Sequence, residues 1–373
     1  MIILFSISFI SLLINACLFR GMSKTIRYIF LTILFVLFVY ITLDPTLTFD
    51  TSIYQYYYDN PNLAHFEIGY IYLMKIGNIF NLTFYQFRGA LFIIEIFFIM
   101  VSLYRFKIKN VNLFLLLYTI LHFFESPVQL RNYLMATIVL LAFSFIRDRS
   151  IAGYIIFILL IGLGATIQSS AAFFLPFVVY YKWQGKKMDQ VLITYTTVFV
   201  LLIIFGPIRN FVSVIVGNLL TPFGVTGAKA ASYLNRLTPG QIILADIPYT
   251  IFIYYFFKNN QKRNFSQLAS STKLSGNIQL VKKAFFFLIY MFPMYLFAYN
   301  FNRILIDSFL LFFVGIVIMS DSLKRDNKTI GIDKYTIIGV FVTLSYSVCS
   351  YLYGTKYLGT IIPVLFHNTY FGG

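Results

Sequence analysis

The sequence predicts an all-α polytopic membrane protein: a single transmembrane domain over residues 1–373, with about twelve transmembrane helices and two large outer loops. Of the 373 residues 59% are hydrophobic and only 11% are charged, whereas soluble domains carry about 25% charged residues. Long apolar runs recur along the chain, and lysine and arginine gather in the segments between them. This composition argues against a water-soluble fold.

The apolar runs approach the length of transmembrane helices. Residues 29–43, 92–103, 191–205 and 304–319 contain little or no charge, and roughly 17 to 25 residues are needed to cross a bilayer. Because the runs lack the alternating polar pattern of a membrane barrel, they must satisfy their backbone groups internally, as α-helices. We expect spans near residues 2–18, 28–43, 87–103, 111–124, 132–146, 151–163, 170–181, 191–204, 242–257, 284–298, 303–319 and 336–353.

The basic residues crowd alternate loops, as the positive-inside rule requires. The loops that we assign to the cytoplasm hold 21 of the 29 basic residues. These loops are 19–27, 104–110, 147–150, 182–190, 258–283 and 320–335. Topology therefore explains the net charge of +16, and we expect no nucleic-acid partner.

Two long segments fall on the predicted outer side, residues 44–86 and 205–241. The alternation of loops holds if residues 66–80 do not cross the membrane completely, so we interpret that stretch as a re-entrant or interfacial helix. Two full spans in this region would preserve the same alternation. Long loops on a compact scaffold are more often functional than idle, so we expect any chemistry on this side.

Arginine is enriched among the basic residues that lie on the predicted outer side of the membrane. Five of those eight are arginine, against seven of 21 inside. The planar guanidinium binds phosphate through paired hydrogen bonds, which favours an anionic ligand for Arg88, Arg131, Arg236 and Arg303. The alternative is that individual arginines snorkel from helix ends to the membrane surface.

Acidic and aromatic residues alternate in the first outer segment. Asp50, Tyr54 and Glu67 stand out among a run of tyrosines. Tyrosine rings stack on the C–H faces of sugars, and carboxylates accept hydroxyl hydrogen bonds or act as general bases. The tyrosines alone would also suit an interfacial aromatic belt.

Two further polar stretches, residues 125–132 and 168–172, lie at the predicted outer rim, where each would also serve as a helix cap.

The outer segments contain no closely spaced acidic pair and no histidine and aspartate cluster with ligand spacing. We therefore expect neither a metal nor another cofactor.

Several of these motifs, in this order, resemble the EpsG branch of the Wzy-type polysaccharide polymerases. They are Asp50 with Tyr54, Glu67-x-Gly69, Arg131-Asn132, Gln168-Ser169-Ser170-Ala171 with Pro176, and Arg303. The match covers roughly residues 44–176 and the surroundings of Arg303. The family commonly has Arg-Gln in place of Arg131-Asn132 and a histidine in place of Gln168, so a histidine role cannot be transferred here.

The resemblance implies a GT-C-like, Wzy-type multi-pass enzyme of the bacterial cytoplasmic membrane, with its active site facing outward. Such an enzyme joins oligosaccharide repeat units carried on undecaprenyl diphosphate, for capsule, exopolysaccharide or O-antigen, and its implied partners are membrane lipids and a chain-length regulator protein. Glu67 and Asp50 are the candidate catalytic bases. Candidate diphosphate or substrate contacts are Arg88, Arg131, Arg236, Arg303, Tyr54 and Gln168.

Other functions remain open from the sequence. A lipid-linked oligosaccharide flippase would share the number of spans, but it needs basic residues deep in a central cavity. A metal-dependent glycosyltransferase that uses a polyprenyl-phosphate sugar would place an acid where Asp50 lies. A membrane acyltransferase would need a histidine in a catalytic neighbourhood, and a non-enzymatic structural role is a further alternative.

Overall fold

The fold is all-α over the part of the chain that the computed structural model describes, and these residues contain no strand. The described residues are 2–17, 50–183, 185–204, 211, 239–264, 272–297, 301–326, 332–352 and 356–366. The predicted all-α fold is confirmed there. The predicted span at 28–43, most of the outer segment 205–241 and Arg236 lie outside the described residues.

The helices are numbered in chain order over the described residues. They are α1 (Ile2–Cys17), α2 (Thr51–Asp59), α3 (Ile68–Ile79), α4 (Phe84–Phe106), α5 (Val111–Leu121), α6 (Leu130–Ile146), α7 (Ile151–Ile167), α8 (Phe177–Lys182), α9 (Lys186–Ile204), α10 (Pro239–Asn264), α11 (Thr272–Phe287), α12 (Phe292–Phe297), α13 (Asn302–Asp326), α14 (Lys334–Leu352), α15 (Lys356–Gly359) and α16 (Ile361–Phe366). Short 3-10 helices cover Pro61–Leu63, Ser169–Phe174 and Leu288–Met291.

Four helical stretches of the described residues are long and apolar enough to cross a membrane: Phe84–Phe106, Gly276–Tyr295, Asn302–Leu323 and Lys334–Leu352. The second of these runs from α11 through the 3-10 helix Leu288–Met291 into α12. Shorter apolar helices follow the same pattern at Phe5–Ala16, Val111–Leu121, Leu130–Ile146 and Ile151–Ile167. These helices agree with a polytopic membrane protein, while the total of twelve spans stays a prediction.

One predicted span is interrupted. The stretch 170–181 consists of the 3-10 helix Ser169–Phe174 and the short helix α8, which starts after Pro176. Proline has no N–H to donate and its ring clashes with the preceding turn, so a continuous helix through this point is disfavoured.

The predicted re-entrant or interfacial stretch 66–80 contains helix α3, Ile68–Ile79, which has 12 residues. At 1.5 Å per residue this helix is about 18 Å long, shorter than the roughly 30 Å hydrocarbon core. Its length suits a helix that does not cross, and its position in the membrane stays a prediction.

The described residues group into two compact units. Unit 1 comprises Met1–Ala64, Ile68–Leu141 and Phe313–Gly373, and unit 2 comprises His65–Glu67 and Ala142–Phe312. In unit 1 the buried rings of Phe92, Phe123, Phe124 and Tyr351 form an aromatic cluster.

The core of unit 2 is also aromatic. The Phe177 ring lies 4.8 Å from that of Phe143 and 5.3 Å from that of Phe287. That the whole chain forms a single domain stays a prediction.

Candidate active site

Arg131, the second residue of α6, is held by two tyrosines in unit 1. Its Nε donates a hydrogen bond to the Tyr54 hydroxyl at 3.3 Å. The guanidinium carbon lies 5.9 Å from the ring centroids of both Tyr54 and Tyr70, within the range of a cation–π contact. The two rings meet edge to face with centroids 6.0 Å apart. Arg131 therefore has a fixed environment, unlike an arginine that only snorkels.

The pairing of α2 with α3 positions these tyrosines. The Tyr58 hydroxyl donates to the Leu82 carbonyl at 2.7 Å, and the Asn78 amide donates to the Tyr58 carbonyl at 3.0 Å. At Gly77 a Cβ atom would lie 2.8 Å from both the Phe87 ring and the Tyr58 hydroxyl. Only glycine lets α3 approach this closely without a shift, so Gly77 sets the spacing of the two helices.

Asp50 lies one helical turn from Tyr54. It occupies the N-cap position of α2, and its carbonyl accepts a hydrogen bond from the Tyr54 backbone N–H at 3.0 Å. The four residues from Asp50 to Tyr54 correspond to a rise of about 6 Å along an α-helix axis. One of the two predicted bases therefore lies near Tyr54, one of the two tyrosines that contact Arg131.

The other predicted base belongs to unit 2. A Glu67 side-chain oxygen accepts a hydrogen bond from the Ser169 backbone N–H at 3.0 Å. Gln168, the residue before, ends α7 and precedes the 3-10 helix Ser169–Phe174. Two motifs about 100 residues apart in sequence are thus in direct contact. Glu67 and Gln168 are both half-buried.

The other predicted arginines have different settings. Arg88, on α4, is only 2% exposed and its guanidinium lies 5.2 Å from the Tyr85 ring centroid. Arg303 is the second residue of α13 and is half-buried. Arg236 lies outside the described residues.

Sequence reasoning missed Glu95. This carboxyl group is 1% exposed on the long apolar helix α4, and it accepts a hydrogen bond from the Ser126 hydroxyl at 2.7 Å. Ser126 lies in the segment that leads from α5 into α6 and so to Arg131. Tyr70 is within electrostatic reach of both Glu95 and Arg131. The sequence does contain a signal for this residue, since Glu95 is an acid in the middle of an apolar run. Ionisable residues in membrane helices are usually functional.

The same segment contains a second buried carboxylate, Glu125, which is 3% exposed. It accepts hydrogen bonds from the Gln129 amide at 3.0 Å and from the Tyr133 hydroxyl at 3.2 Å. The His122 Nδ1 lies 3.3 Å from the Tyr133 hydroxyl. The sequence also suggested a helix cap for this stretch, whereas Glu125 and Ser126 enter a buried side-chain network.

The arrangement in unit 1 combines a guanidinium held against the buried rings of Tyr54 and Tyr70 with a carboxylate, Asp50, one helical turn from Tyr54. Fixed cationic donors stabilise charge that develops on a leaving group. Among the described residues no group of three or more histidine, cysteine, aspartate or glutamate side chains could hold a metal ion.

A family model described as the EpsG family matches residues 27–366. No curated protein and no solved structure matches the chain. The family match covers Arg131, Glu67 and every other candidate site residue.

Proposed function

This chain belongs to the EpsG family, and we propose that it is a polysaccharide polymerase that joins oligosaccharide repeat units carried on undecaprenyl diphosphate. The coarser part of this proposal, a role in polysaccharide polymerisation within a membrane, follows from the family and from the apolar helices. The lipid carrier and the action at the outer face of the cytoplasmic membrane are the finer part.

The proposed reaction is a glycosyl transfer. An acceptor hydroxyl on one lipid-linked unit attacks the anomeric carbon of the growing chain, forming a new C–O bond. The C–O bond to the diphosphate breaks, and undecaprenyl diphosphate leaves with the electron pair. A carboxylate takes the acceptor proton, which is the ordinary work of a general base.

The observation that carries the proposal is the setting of Arg131. The Tyr54 hydrogen bond and the two ring faces hold the guanidinium in place before substrate arrives. A preorganised donor need not reorganise as charge builds up on the leaving diphosphate, so it can stabilise the transition state more than the ground state.

The two candidate bases differ in the hydrogen bonds of their side chains. Glu67 accepts a backbone hydrogen bond from Ser169, which orients its carboxylate. Asp50 makes no side-chain hydrogen bond to cap α2, and it lies one turn from Tyr54. We propose Glu67 and Asp50 as alternative acceptors of the proton, to be separated by substitution.

Deletion of the gene tests the proposal in cells. We expect single repeat units to accumulate on the lipid at the outer face, with no long polymer, when extracted polysaccharide is separated on a gel. Restoring the wild-type gene should restore the ladder of chain lengths. Loss of all surface material with lipid-linked units trapped inside would instead indicate a flippase.

A further inference from the structure

Glu125 is a buried carboxylate that the proposed reaction does not use. It lies in the turn segment 122–129, which leads from α5 into α6, and its side chain is 3% exposed. The Gln129 amide and the Tyr133 hydroxyl both donate to the same atom, Oε2 of Glu125, at 3.0 and 3.2 Å. The Glu125 backbone carbonyl also accepts a hydrogen bond from the Gln129 N–H at 2.8 Å. Glu125 therefore joins the turn segment to the first turn of α6.

A histidine fixes the direction of the Tyr133 hydroxyl. This hydroxyl has one hydrogen, which it gives to Glu125, so the His122 Nδ1 at 3.3 Å must donate to the hydroxyl oxygen. His122 is fully buried, and its ring meets the Tyr133 ring edge to face with centroids 5.3 Å apart. A buried network whose members are hydrogen-bonded in this way favours one arrangement of its side chains.

Arg131 lies midway between the two residues that Glu125 holds. The Tyr133 N–H donates to the Gln129 carbonyl at 3.1 Å, so residues 129–133 form one helical turn. Because an α-helix turns about 100° per residue, side chains two residues apart point to roughly opposite sides. Glu125 therefore holds one side of this turn, and Arg131 projects from the other side toward the Tyr54 hydroxyl. A rotation of the turn would move the guanidinium relative to Tyr54.

We propose that Glu125 is a positioning residue for Arg131. By holding Gln129 and Tyr133 it sets the rotation of the first turn of α6, and with it the place of the guanidinium. The inference rests on the proposed function, because it takes Arg131 as the group that stabilises the leaving diphosphate. Glu125 is withdrawn from solvent and acts through Arg131. A displacement of about 1 Å at a reacting group can lower a rate by about 10²-fold.

Two substitutions separate the hydrogen bonds of Glu125 from its charge. Glu125→Gln keeps a side-chain oxygen for both donors, whereas Glu125→Ala removes the acceptor. We expect kcat to fall by about 10- to 10²-fold in Glu125→Ala and by less than about threefold in Glu125→Gln. Equal losses in the two variants would overturn the proposal, because a carboxylate that acts through its charge, or as a base, is lost in both.

Tyr133→Phe replaces Glu125→Ala if the alanine variant does not fold. It removes one of the two hydrogen bonds to the carboxylate and keeps the ring. We expect kcat to fall by about three- to tenfold. An unchanged kcat in Tyr133→Phe would contradict positioning through this network.

Asp321→Ala is the matched control for a general loss of stability. Asp321, on α13, accepts backbone hydrogen bonds from Lys109 at 3.0 Å and from Asn110 at 3.4 Å. Its removal also costs two hydrogen bonds, but at the start of α5, the end opposite the turn segment. We expect Asp321→Ala to unfold at a lower temperature while its kcat stays within about threefold of the wild type. A fall in kcat as large as that of Glu125→Ala would overturn the proposal.

The double variant Glu125→Ala, Arg131→Lys tests whether Glu125 acts through Arg131. If it does, the double variant should be no more than about threefold slower than Arg131→Lys alone, since residues that act as one unit are not additive. Independent effects would instead multiply to a loss of about 10³-fold or more, and that result would contradict the proposal.

The setting of Arg131 can also be followed without substrate. The full-length protein in nanodiscs would be treated with phenylglyoxal, which modifies arginine, and peptide mass spectrometry would give the rate at Arg131. We expect Glu125→Ala to raise this rate by about three- to tenfold, and Glu125→Gln and Asp321→Ala to leave it unchanged. If the wild type makes no polymer from lipid-linked repeat units, the proposed function fails, and this rate alone decides the positioning. An unchanged rate in Glu125→Ala would overturn the inference.

Discussion

Replacing Arg131 with lysine tests whether its guanidinium contacts substrate. The substitution keeps the positive charge but removes the planar fork and the Nε that donates to Tyr54. Some loss of activity is therefore expected from the missing tyrosine contact alone. Tyr54→Phe is the matched control, because it removes the same hydrogen bond from the other side and keeps the ring beneath the guanidinium.

The size of the shared loss can be worked from the geometry. A hydrogen bond to a charged group contributes about 1.5–3 kcal/mol, and at 3.3 Å this one is longer than the usual 2.9–3.0 Å and belongs at the low end. Lysine retains much of the cation–π attraction, which is worth about 0.5–1 kcal/mol at such sites. A structural role thus predicts about tenfold lower activity in both variants, since 1.4 kcal/mol is a factor of about ten.

A bidentate contact with the leaving diphosphate predicts a different pattern. Arg131→Lys should then lower kcat by roughly 10²-fold or more, while Tyr54→Phe stays near the tenfold structural loss. The assay is the initial rate of polymer formation from purified lipid-linked repeat units, after equal membrane expression is confirmed. Equal losses in the two variants, with no further loss in the double variant, would refute the substrate contact.

Four further predictions concern Glu67, Glu95, metal dependence and membrane topology. Glu67→Gln keeps an acceptor for its backbone N–H partner but loses the base, so a catalytic role predicts a rate lower by about 10²–10⁴-fold and a purely structural role predicts almost no change. Glu95→Ala leaves its serine partner buried and unpaired and should destabilise the protein by about 1–3 kcal/mol in thermal unfolding, whereas Glu95→Gln should cost less. Polymerisation should survive a strong chelator, and activity that returns only with magnesium or manganese would favour a metal-dependent glycosyltransferase. In intact cells an impermeant thiol reagent should label cysteine placed at Asp59 but not at Lys187, and the reverse would overturn the orientation.

The all-α fold could be predicted because the hydrophobic runs and the scarcity of charge are properties of composition and order. The helices α4 and α6, for example, begin within three residues of the predicted spans. Pro176 indicates a helix break in the sequence, but the residues around it are apolar, and hydrophobicity alone predicts one continuous span over 170–181.

The candidate site was only partly predictable. Arg131 and Tyr54 were separate candidates, and their contact depends on how α2 packs beside α6, which residue spacing does not encode. The hydrogen bond of Glu67 to Ser169 is likewise a tertiary contact between distant segments. Glu95 was hidden because its neighbours are apolar, although burial of a carboxylate in such a run is itself informative.

Polymerisation by the purified protein, with lipid-linked repeat units as the only substrate, tests the proposed function most directly. The products would be separated by size, and undecaprenyl diphosphate would be counted by mass spectrometry. We expect a ladder of chain lengths and one undecaprenyl diphosphate released for each new glycosidic bond, both strongly reduced by Arg131→Lys. Intact repeat units, with no ladder and no released lipid diphosphate from a correctly folded protein, would contradict the proposal.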